Sequence, residues 1–469
     1  MENKDIVIIG AGISGISCAL TLLHEDYIGK ITIIEQGYNC RNRICSADKI
    51  GICSNCSSCN TISGFGGSLH YGDTVKLSCF PSGKRLFKVI GNKSEKYQNL
   101  ALSYFSKSKH DFISPSKESS PLIEKIYPIT TLHSDDAKKI LEKWTNELLS
   151  YENLTILYNS KVKSLNRTGN TFTISYFNQG EEEINADIIV LCTGRAGFRV
   201  IKKITSSLQV KLRPPHISIG FRFLMPNYIL DKVSDIHPDF KTSLAYLNYK
   251  YKTFCFSAGK LGGRIKHANH GDFMLIDGHS ITDTKTPSTI SNFAILSQLI
   301  DYSGNYYSYD WIKNNIISVY RELNSAHKGK PVLQSYNDFK AKRITISSHE
   351  HLSKLDSKIY TIGNLASLIP NLEQHDGFCN TLETLIQEFC RISEVKEELP
   401  NILSQISVLG LELESIWDEI ELNQNMETNI PYLFITGDSS GLAQGILQAA
   451  IGGIAAAYGI IEKTSHKLC

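Results

Sequence analysis

The chain opens with the stretch Asp5-Ile6-Val7-Ile8-Ile9-Gly10-Ala11-Gly12-Ile13-Ser14-Gly15, which runs on through Ile16-Ser17-Cys18-Ala19-Leu20. Its apolar run is typical of a buried strand, and three glycines follow at the spacing G-x-G-x-x-G. The first glycine permits a tight turn, the second lets the backbone approach a pyrophosphate, and the third lets the helix pack on the strand. The stretch therefore predicts a dinucleotide-binding turn with the phosphates at the N-terminus of the helix.

A second strand and an acidic residue follow at the expected distance. Ile31-Thr32-Ile33-Ile34 has the composition of a buried strand and ends in Glu35. Glu35 comes about 20 residues after Gly15, where a carboxylate in this motif receives the ribose hydroxyls. Strand, helix, strand and acid together predict a nucleotide-binding domain more specifically than the glycines alone.

Length and composition indicate an ordinary folded protein of about two domains. The chain has 469 residues, of which 42% are hydrophobic and 20% are charged. Its net charge of +2 gives no electrostatic reason to expect binding to nucleic acid or to an anionic membrane. The N-terminus enters the first strand at once and leaves no room for a signal peptide, so we expect a cytoplasmic protein.

One long apolar stretch, Gly441 to Ile461, has the length of a membrane span. It is interrupted by Gln444 and Gln448 and is rich in glycine and alanine, so we predict a buried helix and no membrane span.

The rest of the chain predicts a discontinuous domain with an insertion. Helices are expected at Ser94 to Ser108 and Ser134 to Ser150, followed by a meander of three short strands, Leu154 to Tyr158, Lys161 to Asn166 and Thr171 to Tyr176. A buried strand, Ala186 to Cys192, then ends in Thr193-Gly194. Further helices are expected at Thr381 to Val395 and Ile402 to Ile420.

The fold class expected from this pattern is α/β. It comprises a discontinuous Rossmann-like nucleotide-binding domain with an inserted mixed α+β substrate domain facing it across a cleft. The predicted ranges are 1–213 for the first part of the nucleotide-binding domain, 214–343 for the insertion and 344–469 for the return. The first part includes a cysteine-rich loop at residues 40–60.

Three further motifs resemble the poorly characterised family of FAD-dependent dehydrogenases, which are two-domain flavoprotein oxidoreductases. They are Cys59-Asn60-x-x-Ser63-Gly64-Phe65-Gly66-Gly67, Gly278-His279-Ser280, and Gly437-Asp438-x-x-Gly441-Leu442-x-x-Gly445-Ile446-x-Gln448-Ala449-Ala450. The chain departs from the family's usual Ser-Asp-Gly-Lys after the second glycine turn. It has His70-Tyr71-Gly72-Asp73-Thr74-Val75-Lys76 there instead.

The resemblance implies FAD as the cofactor and assigns roles to residues. Gly10, Gly12 and Gly15 would hold the pyrophosphate, Glu35 the adenosine ribose, Val162 the adenine through its backbone, and Asp438 the ribityl chain. The remaining residues expected around FAD belong to the same turns: Ser14, Gly66, Gly67, Thr193, Gly194, Gly437 and Gly441.

Four of the twelve cysteines form a candidate metal site. Cys53, Cys56 and Cys59 have C-x2-C-x2-C spacing, with Cys45 upstream as a fourth ligand, and this resembles the loops that bind [4Fe-4S] clusters. A structural zinc ion is the alternative, and four reduced thiols without a metal are the simplest interpretation. A cluster there would relay single electrons to the flavin.

The candidate catalytic residues are His70, Tyr71, Asp73 and His279. The first three follow the second glycine turn and could supply a proton to a substrate, although a solvated loop is an equally good interpretation. His279 could act as acid or base, and Asp277-Gly278-His279 is also ordinary turn chemistry. Cys255, Cys379 and Cys390 have apolar neighbours in the sequence and are expected in the core.

Two classes of function remain open. The first is an FAD-dependent oxidoreductase, a dehydrogenase or reductase, that acts on a small organic substrate. The second is an electron-transfer or redox-sensing flavoprotein with a protein partner. The chain has no second G-x-G-x-x-G for NAD(P)H, because Gly259-Lys260-Leu261-Gly262-Gly263 lacks a flanking strand and helix. We therefore expect another electron route, such as a ferredoxin-like carrier.

Overall fold

A computed structural model describes residues 3–46, 53–54, 56–71, 73–114, 120–123, 127–270, 274–325, 330–346, 360–415 and 418–465. The strands are β1 Ile6–Ile9, β2 Ile31–Ile34, β3 Thr74–Ser78, β4 Ile129–His133, β5 Leu154–Leu157, β6 Lys161–Thr168, β7 Thr171–Asn178, β8 Gly180–Ala186, β9 Ile188–Leu191, β10 Leu212–Arg213, β11 Ser218–Pro226, β12 Ser243–Tyr246, β13 Tyr249–Ser257, β14 Gly263–Asn269, β15 Met274–Ser280, β16 Ile290–Gln298, β17 Val332–Ser335, β18 Thr361–Ile362, β19 Ser407–Glu414, β20 Glu419–Ile420 and β21 Leu433–Ile435.

The α-helices are α1 Ile13–His24, α2 Lys84–Ile90, α3 Ser94–Tyr104, α4 Ser134–Leu149, α5 Phe198–Ser207, α6 Asp231–Ile236, α7 Tyr309–Ile312, α8 Ser318–Ser325, α9 Tyr336–Lys340, α10 Leu372–Ser393, α11 Leu399–Ser404 and α12 Ile446–Ser465. A π-helical segment, Lys313–Ile317, joins α7 to α8.

A parallel sheet forms the first body of the fold. Its five strands lie in the order β21-β9-β1-β2-β5, and every pair is parallel. All residues of β1, β2 and β9 are buried, because helices or other strands cover both faces of the sheet, and this explains the continuous apolar runs. The predicted α/β class with a Rossmann-like sheet is confirmed.

The first and last helices lie against each other beside this sheet. A Cβ atom at Gly453 in α12 would lie 2.1 Å from the carbonyl oxygen of Ser14 in α1, so glycine is needed for this close approach. The helix α12 is long and apolar enough to cross a membrane, but 67% of its most apolar 18-residue stretch is buried inside the protein. It is therefore accounted for as a core helix.

The meander differs from the expectation at both ends. Leu154–Leu157 was expected to be its first strand but pairs in parallel with β2 at the edge of the five-stranded sheet. The three meander strands are β6, β7 and β8, all antiparallel. The strand β8 escaped prediction because Glu181, Glu182 and Glu183 are exposed and give no apolar alternation.

A seven-stranded sheet in the order β12-β13-β16-β11-β19-β17-β18 forms the second body. The expected helix Ile402 to Ile420 is wrong, because Ser407–Glu414 is the strand β19 paired with β11 and β17. Elements on both sides of residue 343 therefore share one sheet, while the domain limits at 213 and 343 stay a prediction. The second body is mixed α+β, because α10 lies against this sheet through Phe378, Leu382 and Phe389.

The strand β3 joins the two bodies through its two faces. Its alternate residues Val75 and Leu77 are buried in the core of the first body. The intervening residues face the second body: Thr74 Oγ1 donates a hydrogen bond to the Ser280 carbonyl oxygen (2.9 Å), and Lys76 Nζ donates one to that of Phe256. The two bodies therefore meet along β3, which contacts β13 and the end of β15.

Candidate functional site

The first glycine turn has the geometry that its sequence predicts. Gly10 has φ +108°, and a Cβ atom there would lie 2.4 Å from the Cys192 carbonyl oxygen. A Cβ at Gly15 would lie 2.1 Å from the Gly10 carbonyl oxygen, so α1 touches the turn. Gly12 is different, because its Cβ would come no nearer than 4.0 Å to other atoms. Gly12 therefore borders open space at the N-terminus of α1.

Glu35 holds the surrounding turns together. Its buried carboxylate accepts hydrogen bonds from the backbone N–H groups of Ala11 (2.8 Å), Gly37 (2.8 Å) and Gly64 (2.9 Å). The backbone N–H of Ser160 donates to the Glu35 carbonyl oxygen (2.9 Å), which brings the segment leading to Val162 alongside. The ribose role of Glu35 and the adenine role of Val162 stay predictions.

Arg43 organises the second glycine turn. Its side chain is buried and donates hydrogen bonds to backbone carbonyl oxygens between residues 60 and 67, including those of Asn60 (2.6 Å), Phe65 (2.8 Å) and Gly67 (2.8 Å). Burial lowers the pKa of Arg43 to about 10, although Glu35 opposes this. Gly66 and Gly67 have φ +85° and +52°, and the Gly66 N–H donates to the Ala11 carbonyl oxygen at 2.8 Å. The two glycine turns are therefore in direct contact.

The ends of β9 and β21 complete this part of the site. The Arg195 Nε donates a hydrogen bond to Asp438 Oδ2 at 2.8 Å, across the two one-turn helices that follow these strands. Gly194 has φ +56° with nothing within 4 Å of a Cβ there, and the buried Thr193 Oγ1 has no hydrogen-bond partner among the described residues. Gly437 and Gly441 have φ +76° and +77°. Gly12 and Gly194 thus both border open space.

The segment after the second glycine turn docks on the hairpin β14–β15. Lys266 Nζ donates a hydrogen bond to the Tyr71 carbonyl oxygen (2.7 Å), and Arg264 Nε lies 3.4 Å from Asp73 Oδ2. The Tyr71 hydroxyl donates to the Arg43 carbonyl oxygen (2.8 Å). Burial, followed by the nearby Arg43, lowers the pKa of His70 to about 4, so its imidazole is neutral at pH 7. The solvated-loop interpretation is wrong for Tyr71 and Asp73.

Arg222 is the most completely buried charge in the second body. Its exposed fraction is 0%, its Nε donates to Glu412 Oε1 at 2.6 Å, and its Nη1 donates to Asn292 Oδ1 at 2.7 Å. A Cβ atom at Gly278 would lie 2.1 Å from Arg222 Nη1. Asp277-Gly278-His279 therefore lies in β15 and makes room for Arg222, so the turn interpretation of this motif is wrong.

Asp277, His279 and Cys255 lie beside Arg222. Burial opposes charge on Asp277, but His279, Arg222 and Arg195 together hold the pKa of its carboxyl below its usual value. Burial lowers the pKa of the His279 imidazole, with Asp277 acting against it. The structure thus brings His279 into one region with Tyr71 and Asp73, next to an ionised carboxylate. Their catalytic roles, and that of His70, stay predictions.

Cys255 is not the core residue that we expected, whereas Cys379 and Cys390 are buried. It is partly exposed and has φ +45° at a bulge in β13, a strained conformation for a residue other than glycine. Burial, followed by Asp277, raises the pKa of its thiol well above the usual value. Cys255 therefore presents a protonated thiol beside Asp277.

Asp277 and Arg195 are partly exposed side chains at the junction of the two bodies, which we call the cleft. Their side chains are 38% and 39% exposed, although the neighbouring Arg222 and Glu412 are 0% and 4% exposed. Arg195 belongs to the first body and Asp277 to the second, and each shifts the pKa of the other. Accessible charged groups therefore face each other across the cleft.

The cysteine-rich loop is held at its ends. Asn60 Nδ2 donates a hydrogen bond to the Ile44 carbonyl oxygen (2.7 Å), and Thr61 Oγ1 lies 3.7 Å from Cys45 Sγ. The N–H of Asn269 donates to Cys59 Sγ at 3.4 Å. Residues 47–52 and 55 of this loop lie outside the described part. Within that part, Cys45, Cys53, Cys56 and Cys59 do not form a metal-binding group.

Sequence reasoning missed the arginines of the site. Arg43, Arg195 and Arg222 carry no recognisable motif of their own, and only Arg195 has a signal, since it directly follows Thr193-Gly194. The other two are recognised only through the backbone and carboxylate groups that the fold brings to them.

No family model matches this chain, and no curated protein matches it. Among solved structures it is similar to the flavin-dependent halogenase CmlS, with 10% identity and a TM-score of 0.40 over 99% of this chain and 59% of that one. A flavoprotein/dehydrogenase from Cytophaga hutchinsonii has 10% identity and a TM-score of 0.39 over 98% of this chain and 79% of that one. Aklavinone-11 hydroxylase in a ternary complex with FAD and aklavinone has 12% identity and a TM-score of 0.39 over 98% of this chain and 62% of that one. The chain thus spans less than two thirds of the length of the halogenase and of the hydroxylase.

Proposed function

We propose that this chain is an FAD-dependent oxidoreductase that acts on a small organic molecule in the cleft. The observation that carries the proposal is the open space in front of Gly12 and Gly194, at the end of a parallel sheet and the start of α1. Backbone N–H groups at a helix N-terminus attract phosphate oxygens, and side chains are missing where a pyrophosphate would lie.

The residues present fit FAD. Gly12 borders the open space with backbone only, and Gly67 lies against Gly12, where a Cβ atom would come within 3.3 Å of the Gly12 Cα. Asp438, held by Arg195, would receive hydroxyls of the ribityl chain. FAD, when bound, supplies hydride or single-electron transfer. The residues of the chain then bind and orient the substrate and move its proton.

The cleft supports an enzyme over an electron-transfer protein. Asp277 is held in its ionised form, and His279 beside it is neutral, so the imidazole can accept a proton from a bound substrate. An electron carrier needs no such acid–base pair at the end of an accessible cleft. A dehydrogenase, a reductase and a monooxygenase are all compatible with this chemistry.

Anaerobic titration of the purified protein with candidate metabolites tests the enzyme proposal. We expect a small molecule to bleach the flavin absorbance, or to reoxidise photoreduced flavin, without a second protein. Flavin that responds only to a protein such as a ferredoxin-like carrier would instead support the electron-transfer alternative. A small-molecule substrate, a ferredoxin-like partner and a cytoplasmic location all stay predictions.

NADH and NADPH are expected to be poor direct reductants. The described residues contain one parallel sheet of nucleotide-binding type, and Gly259 to Gly263 forms a tight connection between β13 and β14. Stopped-flow mixing under anaerobic conditions measures the rate. Rapid bleaching by either nucleotide at micromolar concentration would contradict this prediction.

The [4Fe-4S] cluster at Cys45, Cys53, Cys56 and Cys59 stays a hypothesis, with zinc as the alternative. The described positions of these cysteines do not support it, so we assign no electron-transfer step to it. Iron, sulfide and zinc determination on anaerobically purified protein decides the question. Four iron and four sulfide per chain would establish a cluster, one zinc per chain would replace it, and neither metal would leave free thiols.

A further inference from the structure

Two lysines and one aspartate form a buried cluster beside the cleft. Asp239 Oδ1 lies 3.5 Å from Lys76 Nζ, and Asp239 Oδ2 lies 3.2 Å from Lys241 Nζ. The side chains of Lys76, Lys241 and Asp239 are 19%, 18% and 11% exposed. Lys76 belongs to β3 in the first body, and Lys241 and Asp239 belong to the second. The cluster therefore spans the junction of the two bodies.

The cluster lies next to Cys255 and so continues the cleft past Asp277. Lys76 Nζ donates to the carbonyl oxygen of Phe256, and the Phe256 N–H donates to Asp239 Oδ1 at 3.3 Å. Lys76 and Lys241 both act electrostatically on Cys255, whose thiol is hydrogen-bonded to Asp277. Cys255 is thus a common neighbour of Asp277 and of the two lysines.

Counted over the described residues, the cluster carries one positive charge in excess. Asp239 matches one lysine, and the adjoining Lys252 and Glu414 form a pair of their own. The nearby groups that could add a charge are neutral at pH 7: burial lowers the pKa of His237 to about 4, and burial raises the pKa values of Tyr127 and Cys255. Burial lowers the pKa of Lys76 in spite of Asp239, whereas burial of Lys241 is outweighed by Asp239 and the pKa of Lys241 is raised. An uncompensated buried charge is costly.

Hydrogen-bond donors also remain for a ligand. An ammonium group has three N–H donors. Among the described contacts, Lys241 uses one on Asp239 and faces the Phe254 ring at 5.3 Å, and Lys76 uses two, on Asp239 and Phe256. Each lysine therefore keeps at least one donor that can turn toward the accessible side of the cluster.

We propose that Lys76 and Lys241 bind the anionic end of the substrate, and that the substrate is a small organic carboxylate. This deepens the proposed function, since it rests on the cleft being the substrate site. A carboxylate carries one negative charge and matches the single excess positive charge of the cluster. A phosphate monoester carries about −1.5 to −2 at pH 7 and would leave the site negative.

Isothermal titration calorimetry of the purified protein with matched probes tests the proposal. The probes are acetate and benzoate, their neutral amides acetamide and benzamide, and inorganic phosphate. We expect at least one carboxylate to bind at least tenfold more tightly than its amide. Equal binding of acid and amide, or no binding of either acid, would overturn the proposal. Binding of phosphate in preference to both acids would also overturn it.

The variant Lys241→Met identifies the site. It leaves Asp239 paired with Lys76, so we expect the variant to fold and to bind the carboxylate at least tenfold more weakly. Asp239→Asn keeps a side-chain oxygen for the Phe256 N–H and adds a second uncompensated charge, so it should bind more tightly. Lys163→Met is the control, because Lys163 is an exposed residue of β6 paired with Glu181. Unchanged carboxylate affinity in folded Lys241→Met protein would overturn the assignment.

The calorimetric result is independent of flavin content. Folded protein that takes up no FAD from an excess of the cofactor but still binds a carboxylate through Lys241 would overturn the proposed FAD function and leave this inference standing. Protein with full flavin content that binds no carboxylate would overturn this inference and leave the proposed FAD function standing.

Discussion

Replacing Gly12 by valine is expected to give folded but colourless protein. The residue has φ −73° and ψ −180°, which valine adopts readily, and its Cβ would come no nearer than 4.0 Å to the rest of the protein. The added side chain would instead occupy the space in which the pyrophosphate must approach the backbone. The loss of bound flavin is measured by absorbance at roughly 350–500 nm, where flavins absorb.

Two comparisons make the Gly12→Val result specific. Gly180→Ala should keep its flavin, because nothing lies within 4 Å of a Cβ at that hairpin position. Gly15→Val should fail to fold, because its Cβ would lie 2.1 Å from the Gly10 carbonyl oxygen. Circular dichroism distinguishes a folded protein that has lost its flavin from a protein that has failed to fold. A yellow Gly12→Val protein with full flavin content would show that the cofactor does not lie against Gly12.

Replacing Arg43 by glutamine is expected to destabilise the fold by about 3 kcal/mol or more, because each buried carbonyl oxygen left without a donor costs about 1–3 kcal/mol. Arg43 donates to the carbonyl oxygens of Asn60, Phe65 and Gly67, and glutamine is too short to reach them together. The second glycine turn would lose its support, so FAD content should also fall. Urea denaturation followed by tryptophan fluorescence measures the change.

The neighbouring Arg41 provides the control, because it is exposed and Arg41→Gln should leave the unfolding midpoint unchanged. Arg43→Lys tests the geometry, since an ammonium group keeps the charge but lacks the planar fork of donors. We expect it to recover less than half of the lost stability. An Arg43→Gln protein as stable as the wild type would contradict the role assigned to this side chain.

The sequence was sufficient where a local pattern and a local structure coincide. Gly10 and Gly15 predict the turn and the helix because each is required by a backbone contact, whereas Gly12 leaves the N-terminus of α1 open. The long apolar helix α12 was predicted to be buried from its glycines, which allow the contact with Ser14.

Elsewhere the pattern was ambiguous. Ser407–Glu414 contains Val408-Leu409-Gly410-Leu411, which is buried throughout, and a fully buried strand has no alternation to distinguish it from a helix. Cys255 has apolar neighbours in the sequence, yet the bulge in β13 turns it toward Asp277. Arg222 acquires Glu412 and Asn292 only when β11 pairs with β19 and β16, and Lys76 acquires Asp239 only when β3 meets the second body, so no spacing in the sequence reveals these contacts.

The central claim is that the open space at Gly12 and Gly194 holds FAD. The most direct measurement is the flavin content of the purified protein, determined by heat release and chromatography after incubation with excess FAD and removal of the unbound cofactor. We predict one non-covalent FAD per chain. Protein that stays free of flavin after this treatment, while its circular dichroism shows it to be folded, would contradict the account.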